Sequence, residues 1–460
     1  MAVLKRPWRP ALLLCTILLA ACASTRPDLT RIYAKQEGAV QQPPVIVIHG
    51  ALGSRLFDRS AGREVWPGGV LNVLFGSYAD LRLDIDPQTL LPTASSVEAT
   101  GVASRVGGVD FYGRILDVLE RAGGYEYAEP GSARPAGSKS YYVFSYDWRQ
   151  DNLLAVNELD AFIEQVRTDH GDPDLEVDVV AHSMGGLITR YFIRYGTLDV
   201  LDDNDFPVNG YGAEKIRRVV LLGTPNLGSA GAFRTLLRGY KVLLGTIPIE
   251  VVATFPSTYQ VLPHAINDWL VSTTGVPIDH DQFDTAFWRG LKFSIFDPEV
   301  RARIRSRFAD AGEAEEYLQT LDRYFEKHIE RARRFSWSLT VPVPDSSIEY
   351  IVFGSDCKDT PARMVIEEVD GGSEVRLYPD EVSNPVPGVS YAALMLEPGD
   401  GVVTKASLMA RQTFDPTVSR HQYSYFPLDY PIFLCEAHSH LTGNVHFQNN
   451  LLHALLSVDR

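Results

Sequence analysis

Residues 177–191 combine the features of a buried strand, a tight turn and an amphipathic helix in one short segment. The apolar run Val177 to Ala181 predicts the strand, and the helical pattern extends to Tyr191. Ser183 lies at the turn, and the residues two before and two after it, Ala181 and Gly185, are small enough for strand and helix to pass closely. Such a junction requires a sheet that holds the strand and a helix that packs back onto it, so it indicates an α/β architecture.

Short apolar, β-branched runs recur along the chain with helical or loop segments between them, as in a parallel sheet wound with helices. These runs are Val45 to Ile48, Tyr142 to Phe144, Val177 to Ala181, Val219 to Leu222, Tyr350 to Phe353 and, as a sixth candidate, Pro431 to Cys435. Residues 230–344 separate two of the runs and contain helical patterns, among them Leu236 to Leu244 and the charged stretch Val300 to Arg334. We therefore predict an α/β-hydrolase type of fold, a mostly parallel sheet flanked by helices, with an inserted, mainly helical cap.

The first residues have the pattern of a processing signal. A basic start, with Lys5 and Arg6, precedes the apolar stretch Ala11 to Ala21, which is too short to span a bilayer as a helix. The stretch ends Leu-Ala-Ala-Cys at Cys22, which resembles a bacterial lipobox. We predict a signal peptide over residues 1–21, a lipidated Cys22 and a flexible tether to residue 42, with an ordinary signal peptide as the alternative. Because no aspartate follows Cys22, an outer-membrane anchor facing the periplasm or the cell surface is favoured.

Charge and cysteine content limit the partners and the compartment. The chain has 58 acidic and 43 basic residues, a net charge of −15, which disfavours nucleic acid as a partner. Cys357 and Cys435 would remain as an even pair in an oxidising compartment, where they form either a disulfide or two buried thiols. The sequence implies no metal and no organic cofactor, and it leaves the oligomeric state open.

Ser183 is the candidate nucleophile, because the tight turn projects its hydroxyl above the sheet. The backbone N–H of Met184 would supply one donor of an oxyanion hole. The loop after the first strand, residues 49–54, would supply the other, with Ala51 preferred and Leu52 as the alternative. His182 is a chain neighbour of the serine and cannot fold back onto it, so a structural role is expected.

The acid and the base should follow the nucleophile along the chain. Asp400 lies in a glycine turn, with Asp356 as its rival. Of the histidines near the end of the chain, we select His440 over His438 because Leu441 and a helical pattern follow it. The acid would orient the imidazole, and the imidazole would take up and return the serine proton.

Seven segments in this order resemble the lecithin:cholesterol acyltransferase family, which includes lysosomal phospholipase A2 and phospholipid:diacylglycerol acyltransferase. They are His49 to Ser54, Tyr146 to Arg149, Ala181 to Gly186, Gly223 to Ser229, Phe255 to Ser257 with Leu262-Pro263, Gly399 to Val403, and His440-Leu441. The resemblance implies a hydrolase core over residues 43–229 and 345–460, a lipid-contacting cap over residues 230–344, and Ser183, Asp400 and His440 as the triad. Two departures are Ala181 in place of the usual glycine and the lack of a cysteine pair after His49.

The expected activity is attack of Ser183 on a lipid ester, followed by transfer of the acyl group to water or to an alcohol. Hydrolase and transferase share these residues, so the acceptor stays open. A lipid- or partner-binding envelope lipoprotein without catalysis, and an esterase of short or polymeric esters, are the alternatives. Trp66 to Phe75 fits either core packing or an apolar lip that touches lipid. Tyr146 to Arg149 fits either a structural cluster at a strand end or a contact near the acyl site.

Overall fold

The computed structural model describes residues 27–34, 42–69, 76–106, 109–135, 137–242, 245–343, 347–410 and 430–457. The predicted signal peptide, Cys22 and most of the predicted tether lie outside the described residues, as do residues 70–75. Within the described ranges, none of the helices has the length and apolar character needed to cross a membrane.

A seven-stranded parallel sheet forms the centre of the molecule, in the order β19-β14-β10-β9-β1-β8-β7. Its strands are β1 (Val45–Ile48), β7 (Glu126–Tyr127), β8 (Ser140–Phe144), β9 (Val177–His182), β10 (Ile216–Leu222), β14 (Glu349–Ser355) and β19 (Tyr430–Leu434). The smaller sheets contain β2 (Ser54–Asp58), β3 (Arg63–Trp66), β4 (Val97–Val102), β5 (Arg105–Val106), β6 (Val109–Asp110), β11 (Tyr240–Val242), β12 (Gly245–Ile247), β13 (Leu270–Ser272), β15 (Lys358–Pro361), β16 (Met364–Val369), β17 (Gly372–Arg376) and β18 (Leu396–Gly399).

Helices cover the sheet and fill the long connections between its strands. They are α1 (Leu29–Tyr33), α2 (Gly113–Arg121), α3 (Asn152–His170), α4 (Met184–Tyr195), α5 (Ala230–Arg238), α6 (Ile249–Val252), α7 (Pro256–Gln260), α8 (Thr285–Gly290), α9 (Pro298–Arg305), α10 (Ala311–Ser338), α11 (Tyr391–Met395), α12 (Lys405–Met409) and α13 (Val445–Leu456). The predicted fold class, a mostly parallel sheet flanked by helices, is confirmed.

All six predicted runs are strands of the central sheet, and β1 has the predicted bounds. The apolar side chains of β9 and β10 are buried on both faces of the sheet, which explains their continuous rather than alternating apolar pattern. The edge strand β7 was not predicted, because it has two residues and both are exposed.

The segment between the adjacent strands β10 and β14 is mainly helical but also contains short strands. The predicted helical stretch Leu236 to Leu244 is wrong from Gly239 to Val242, and its last two residues lie outside the described residues. Helix α5 ends at Arg238 because Gly239 adopts a positive φ of 73°, and the chain turns into the β11–β12 hairpin. The charged stretch forms the end of α9 and most of α10, and α10 buries one apolar face that includes Leu321 and Phe325.

Two buried arginines of α4 join the end of α10 to the core. The Arg190 guanidinium donates to the carbonyl of Leu339 at 2.7 Å, and Arg194 donates to that of Val341 at 2.8 Å. The Tyr195 hydroxyl donates to the carbonyl of Ser338 at 2.8 Å. These bonds satisfy carbonyls at a helix end that would otherwise be buried without partners. They fix the end of the inserted segment to the helix that follows Ser183.

Candidate active site

Ser183 lies between β9 and α4 with a backbone conformation that few side chains adopt, φ 54° and ψ −124°. Its N–H donates to the carbonyl of Leu222 at 2.8 Å, and its carbonyl accepts from Gly186 at 3.0 Å, so the strained turn is held from both sides. This is the geometry of a nucleophile elbow, in which the serine side chain projects from the carboxyl edge of the sheet.

Close backbone packing explains the glycines around the elbow. A Cβ on Gly185 would lie 2.5 Å from the carbonyl oxygen of His49, and one on Gly186 would lie 2.1 Å from Oγ1 of Thr224. A Cβ on Gly50 would lie 2.6 Å from the Cβ of Ser183. The loop after β1 therefore approaches the serine as closely as a backbone can.

A hydrogen-bonded chain joins Asp400, His438 and Ser183. Nδ1 of His438 lies 2.7 Å from Oδ2 of Asp400, and its Nε2 lies 3.0 Å from Oγ of Ser183. The backbone N–H of His438 also donates to the carbonyl of Asp400 at 2.9 Å. The imidazole is thus held by its acid through both main chain and side chain.

Asp400 is only 2% exposed, and its charge is stabilised locally. Oδ1 accepts from the backbone N–H groups of Val402 at 2.9 Å and Val403 at 2.7 Å. Burial raises the pKa of the carboxyl, but the neighbouring His438 and these hydrogen bonds more than offset it, so the pKa is lowered overall. Asp400 is ionised at neutral pH and can stabilise a charged imidazole.

The structure places His438, and not the predicted His440, beside Ser183. The side chain of His440 is 55% exposed and lies 3.9 Å from Glu436. Both histidines belong to a 3₁₀ segment, His438–Gly443, in which residues three apart share a face and residues two apart do not. Leu441 is fully buried, and a Cβ added to Gly223 would lie 2.9 Å from Leu441 and 3.1 Å from His438. The apolar residue after His440 therefore lies on the same face as His438.

The rival acid Asp356 pairs with Lys405 at 3.1 Å and does not join the chain of hydrogen bonds. Next to it, the sulfurs of Cys357 and Cys435 lie 2.10 Å apart, so these cysteines form a disulfide rather than two thiols. Cys435 precedes His438 by three residues, and Cys357 follows β14. The bridge therefore ties the histidine loop to the end of a central strand.

The loop after β1, which we expect to supply the second oxyanion donor, lines the same cavity as Met184. Ala51 and Leu52 both line the cavity at Ser183, and Leu52 has a positive φ of 63°. The buried Trp66 holds this loop, since its Nε1–H donates to the carbonyl of Leu52 at 2.9 Å. Trp66 thus acts structurally, whereas residues 70–75 of the predicted apolar lip lie outside the described residues.

Tyr146 and Trp148 also support the loop. The Tyr146 hydroxyl donates to the carbonyl of His49 at 2.9 Å, and its ring stacks on the His49 ring with centroids 4.3 Å apart. Burial lowers the pKa of His49 to about 4, so this histidine is neutral. Trp148 lines the cavity and donates to the carbonyl of Ser54 at 3.3 Å. Residues 146–149 therefore include a structural cluster at the strand end, through Tyr146, and a contact near the site, through Trp148.

A second hydrogen-bonded chain, not predicted from the sequence, runs behind the triad. The Gly50 N–H donates to the Tyr112 hydroxyl at 2.9 Å, which lies 2.9 Å from Nδ1 of His182. Nε2 of His182 lies 3.3 Å from the carbonyl of His438. Because the carbonyl of His438 can only accept, Nε2 of the neutral His182 ring carries its proton, and Nδ1 accepts from the Tyr112 hydroxyl. Burial lowers the pKa of His182 to about 3, which keeps the ring neutral as this pattern requires.

A cavity of about 220 Å³ opens at Ser183 and His438. Most of its wall is apolar, contributed by the core at Leu52 and Trp148 and by the inserted segment at Val252 and Phe255. An ester bound at Ser183 would therefore place its hydrocarbon portion against apolar side chains. Among the residues that the structure describes, no cluster of histidine, cysteine and carboxylate side chains is arranged to hold a metal ion.

Comparisons with known proteins bear on the family and the fold. The family model of lecithin:cholesterol acyltransferase matches residues 138–412, more than half of the chain. A chain in the crystal structure of the Tle4–Tli4 complex is similar with a TM-score of 0.56 and 17% identity, covering 90% of this chain and 98% of that one. Lipase 1 from Pelosinus fermentans has a TM-score of 0.38 and 12% identity, covering 92% of this chain and 100% of that one. EstA from Clostridium botulinum has a TM-score of 0.38 and 11% identity, with 93% and 90% covered. The fold is that of the α/β-hydrolases, and the chain belongs to the lecithin:cholesterol acyltransferase family.

Proposed function

We propose that this protein is a serine-dependent hydrolase or O-acyltransferase of lipid esters that works through an acyl-enzyme on Ser183. The observation that carries the proposal is the continuous chain from Asp400 through His438 to Ser183 at the floor of an apolar cavity. Membership in the lecithin:cholesterol acyltransferase family supports action on an acyl ester.

In the first half-reaction, the Ser183 oxygen attacks the ester carbonyl while its proton passes to Nε2 of His438. Asp400 stabilises the resulting imidazolium through Nδ1–H. The negative charge that develops on the carbonyl oxygen would meet the N–H of Met184 and that of Ala51 or Leu52. The tetrahedral intermediate collapses when the alcohol leaves with the proton from His438, and the acyl group remains on Ser183.

In the second half-reaction, water or an alcohol gives its proton to His438 and attacks the acyl-enzyme. A fatty acid or a new ester leaves, and Ser183 regains its proton. The two outcomes differ only in the acceptor that reaches the carbonyl, so the shape and dryness of the cavity determine which one prevails.

The test uses the purified full chain in detergent, with Ser183→Ala and, as a control, Ser60→Ala on the exposed turn after β2. Each is treated with a fluorophosphonate probe and then supplied with phosphatidylcholine, with and without a long-chain alcohol. We expect labelling and turnover in the wild type and in Ser60→Ala, and neither in Ser183→Ala. Fatty acid alone would identify a hydrolase, and new ester an acyltransferase. A folded wild type that neither labels nor turns over ester would instead favour a binding lipoprotein.

We also propose that the protein is a bacterial envelope lipoprotein anchored through Cys22. The basic start, the apolar stretch and the Leu-Ala-Ala-Cys sequence before and at Cys22 support this location. Metabolic labelling with a radioactive fatty acid should mark the wild-type chain and not Cys22→Ser. Equal labelling of the two chains would reject lipidation at Cys22.

A further inference from the structure

The turn that carries Asp400 is held by the three backbone N–H groups that follow it. Those of Val402 and Val403 donate to Oδ1 of Asp400, at 2.9 and 2.7 Å. That of Gly401 donates instead to the hydroxyl of Thr360, at 2.8 Å. Gly401 has a positive φ of 93°, and a glycine has few conformational preferences of its own. The orientation of the peptide before Gly401 therefore depends on the hydrogen bonds made to it.

Thr360 is fully buried in β15, the strand that pairs antiparallel with β18 just before Asp400. Its hydroxyl donates to the carbonyl of Lys358 at 3.0 Å, so the oxygen keeps a lone pair that accepts from Gly401. A Cβ on Gly399 would lie 2.5 Å from this oxygen, so the chain that leads to Asp400 passes directly against it. The hydroxyl is therefore fixed both in its position and in the direction of its proton.

The peptide group between Asp400 and Gly401 connects Thr360 to the histidine of the triad. Its N–H donates to Thr360, and its carbonyl accepts from the backbone N–H of His438 at 2.9 Å. Because a trans peptide is planar, its N–H and its carbonyl point in opposite directions and rotate together. A rotation that breaks the hydrogen bond to Thr360 would also misalign the one to His438. Thr360 thus holds a peptide group that positions the acid and the base relative to each other.

The strand of Thr360 and the histidine loop are also linked covalently. Cys357 lies three residues before Thr360, and Cys435 lies three residues before His438. The disulfide between the two cysteines limits how far the strand and the loop can separate. Loss of the Thr360 hydroxyl would therefore act through a local rotation of the turn at Asp400 rather than through separation of the two segments.

Resting on the proposed acyl-enzyme chemistry at Ser183, we infer that Thr360 is a positioning residue, whose hydroxyl aligns Asp400 with His438. Thr360 is not among the described residues that line the cavity at Ser183, so it does not act by contact with the ester. Its effect is on the imidazole that becomes charged in the transition state. A change at Thr360 should therefore alter kcat and leave KM unchanged.

The test measures hydrolysis of p-nitrophenyl butyrate, a small ester used as a monomer, by the full chain as wild type, Thr360→Val and Thr360→Ser. The matched control is Thr254→Val. Thr254 is equally buried, and its hydroxyl likewise accepts from one N–H, that of Leu83 at 3.0 Å, and donates to one carbonyl, that of Val251 at 2.7 Å. Urea unfolding shows whether each variant is folded, and fluorophosphonate labelling reports on the reactive serine.

We expect Thr360→Val to lower kcat about 10-fold, as for the loss of one hydrogen bond in the transition state, with KM within about 2-fold of the wild type. Thr360→Ser keeps the hydroxyl and should retain most of kcat. Thr254→Val should destabilise the protein to a similar extent but leave kcat within about 3-fold. In an Asp400→Asn background, which lacks the charged acid, Thr360→Val should lower kcat less than about 2-fold further. A purely structural role would give the 10-fold loss in both backgrounds.

Three results would overturn the inference while the proposed function stands. They are an unchanged kcat in Thr360→Val, an equal loss in Thr360→Ser, and the same loss in the Asp400→Asn background. If Thr360→Val does not fold, Thr360→Ala removes the same hydroxyl and is compared with Thr360→Ser in the same way. A folded wild type that neither labels nor turns over ester would overturn the proposed function together with the inference.

Discussion

The hydroxyl of Tyr112 is predicted to couple the loop after β1 to the histidine loop. It accepts from Gly50 at 2.9 Å and donates to His182 at 2.9 Å, and His182 in turn bonds to the carbonyl of His438. Tyr112→Phe removes one oxygen and leaves two buried groups, the Gly50 N–H and the Nδ1 lone pair of His182, without their partner. Each such group costs about 1 to 3 kcal/mol, so we expect the free energy of unfolding to fall by about 2 to 6 kcal/mol.

The same change should affect catalysis more than binding. Gly50 directly precedes the two candidate oxyanion donors, Ala51 and Leu52, so a looser loop would stabilise the transition state less well. We expect kcat to fall about 10-fold, equivalent to about 1.4 kcal/mol, with little change in KM. Urea unfolding and steady-state hydrolysis of a p-nitrophenyl ester measure the two effects.

The matched control is Tyr125→Phe. Tyr125 is also buried, but its hydroxyl has no hydrogen-bond partner within the described ranges, so its removal should change stability by less than about 1 kcal/mol. If Tyr112→Phe destabilises the protein no more than Tyr125→Phe does, and kcat is unchanged, the coupling role of Tyr112 is refuted.

Three further predictions concern acidity, packing and the disulfide. Burial lowers the pKa of His182 to about 3, so the unfolded chain binds its proton first as pH falls; between pH 7 and 5 this residue should cost about 2 kcal/mol of stability. His182→Gln should remove that part of the pH dependence in urea unfolding, and an unchanged slope would contradict the assignment. Gly185→Ala would place a Cβ 2.5 Å from the carbonyl of His49, so we expect thermal destabilisation and loss of probe labelling, whereas a wild-type melting temperature would disprove the close packing. Replacing both Cys357 and Cys435 by alanine should lower the free energy of unfolding by about 4.5 kcal/mol for a separation of 78 residues. Reduction should likewise lower the melting temperature of the wild type, and equal melting temperatures for the oxidised and reduced protein would contradict a stabilising bridge.

Much of the architecture could be predicted because its signals are local. The buried strands appear as continuous β-branched runs, and the turn at Ser183 needs small neighbours that the sequence shows directly. The predicted helix was wrong from Gly239 to Val242 because Gly239 ends α5, and apolar content alone does not distinguish a helix from a strand.

The site was predicted less completely because it depends on three-dimensional contacts. The choice between His438 and His440 depends on which face of a 3₁₀ segment points toward Ser183, and that requires the conformation of the segment. Tyr112 carries no sequence pattern at all. It was missed because its hydrogen bonds to Gly50 and His182 join residues 62 and 70 positions apart.

The rate of fluorophosphonate labelling in His438→Ala and His440→Ala, each compared with the wild type, tests the central claim most directly. The two residues are two positions apart, but only His438 contacts both Ser183 and Asp400. We predict that His438→Ala slows labelling at least about 1,000-fold, as expected when a catalytic base is removed, while His440→Ala stays within about 3-fold of the wild type. Loss of labelling in His440→Ala, with retention in His438→Ala, would contradict the triad.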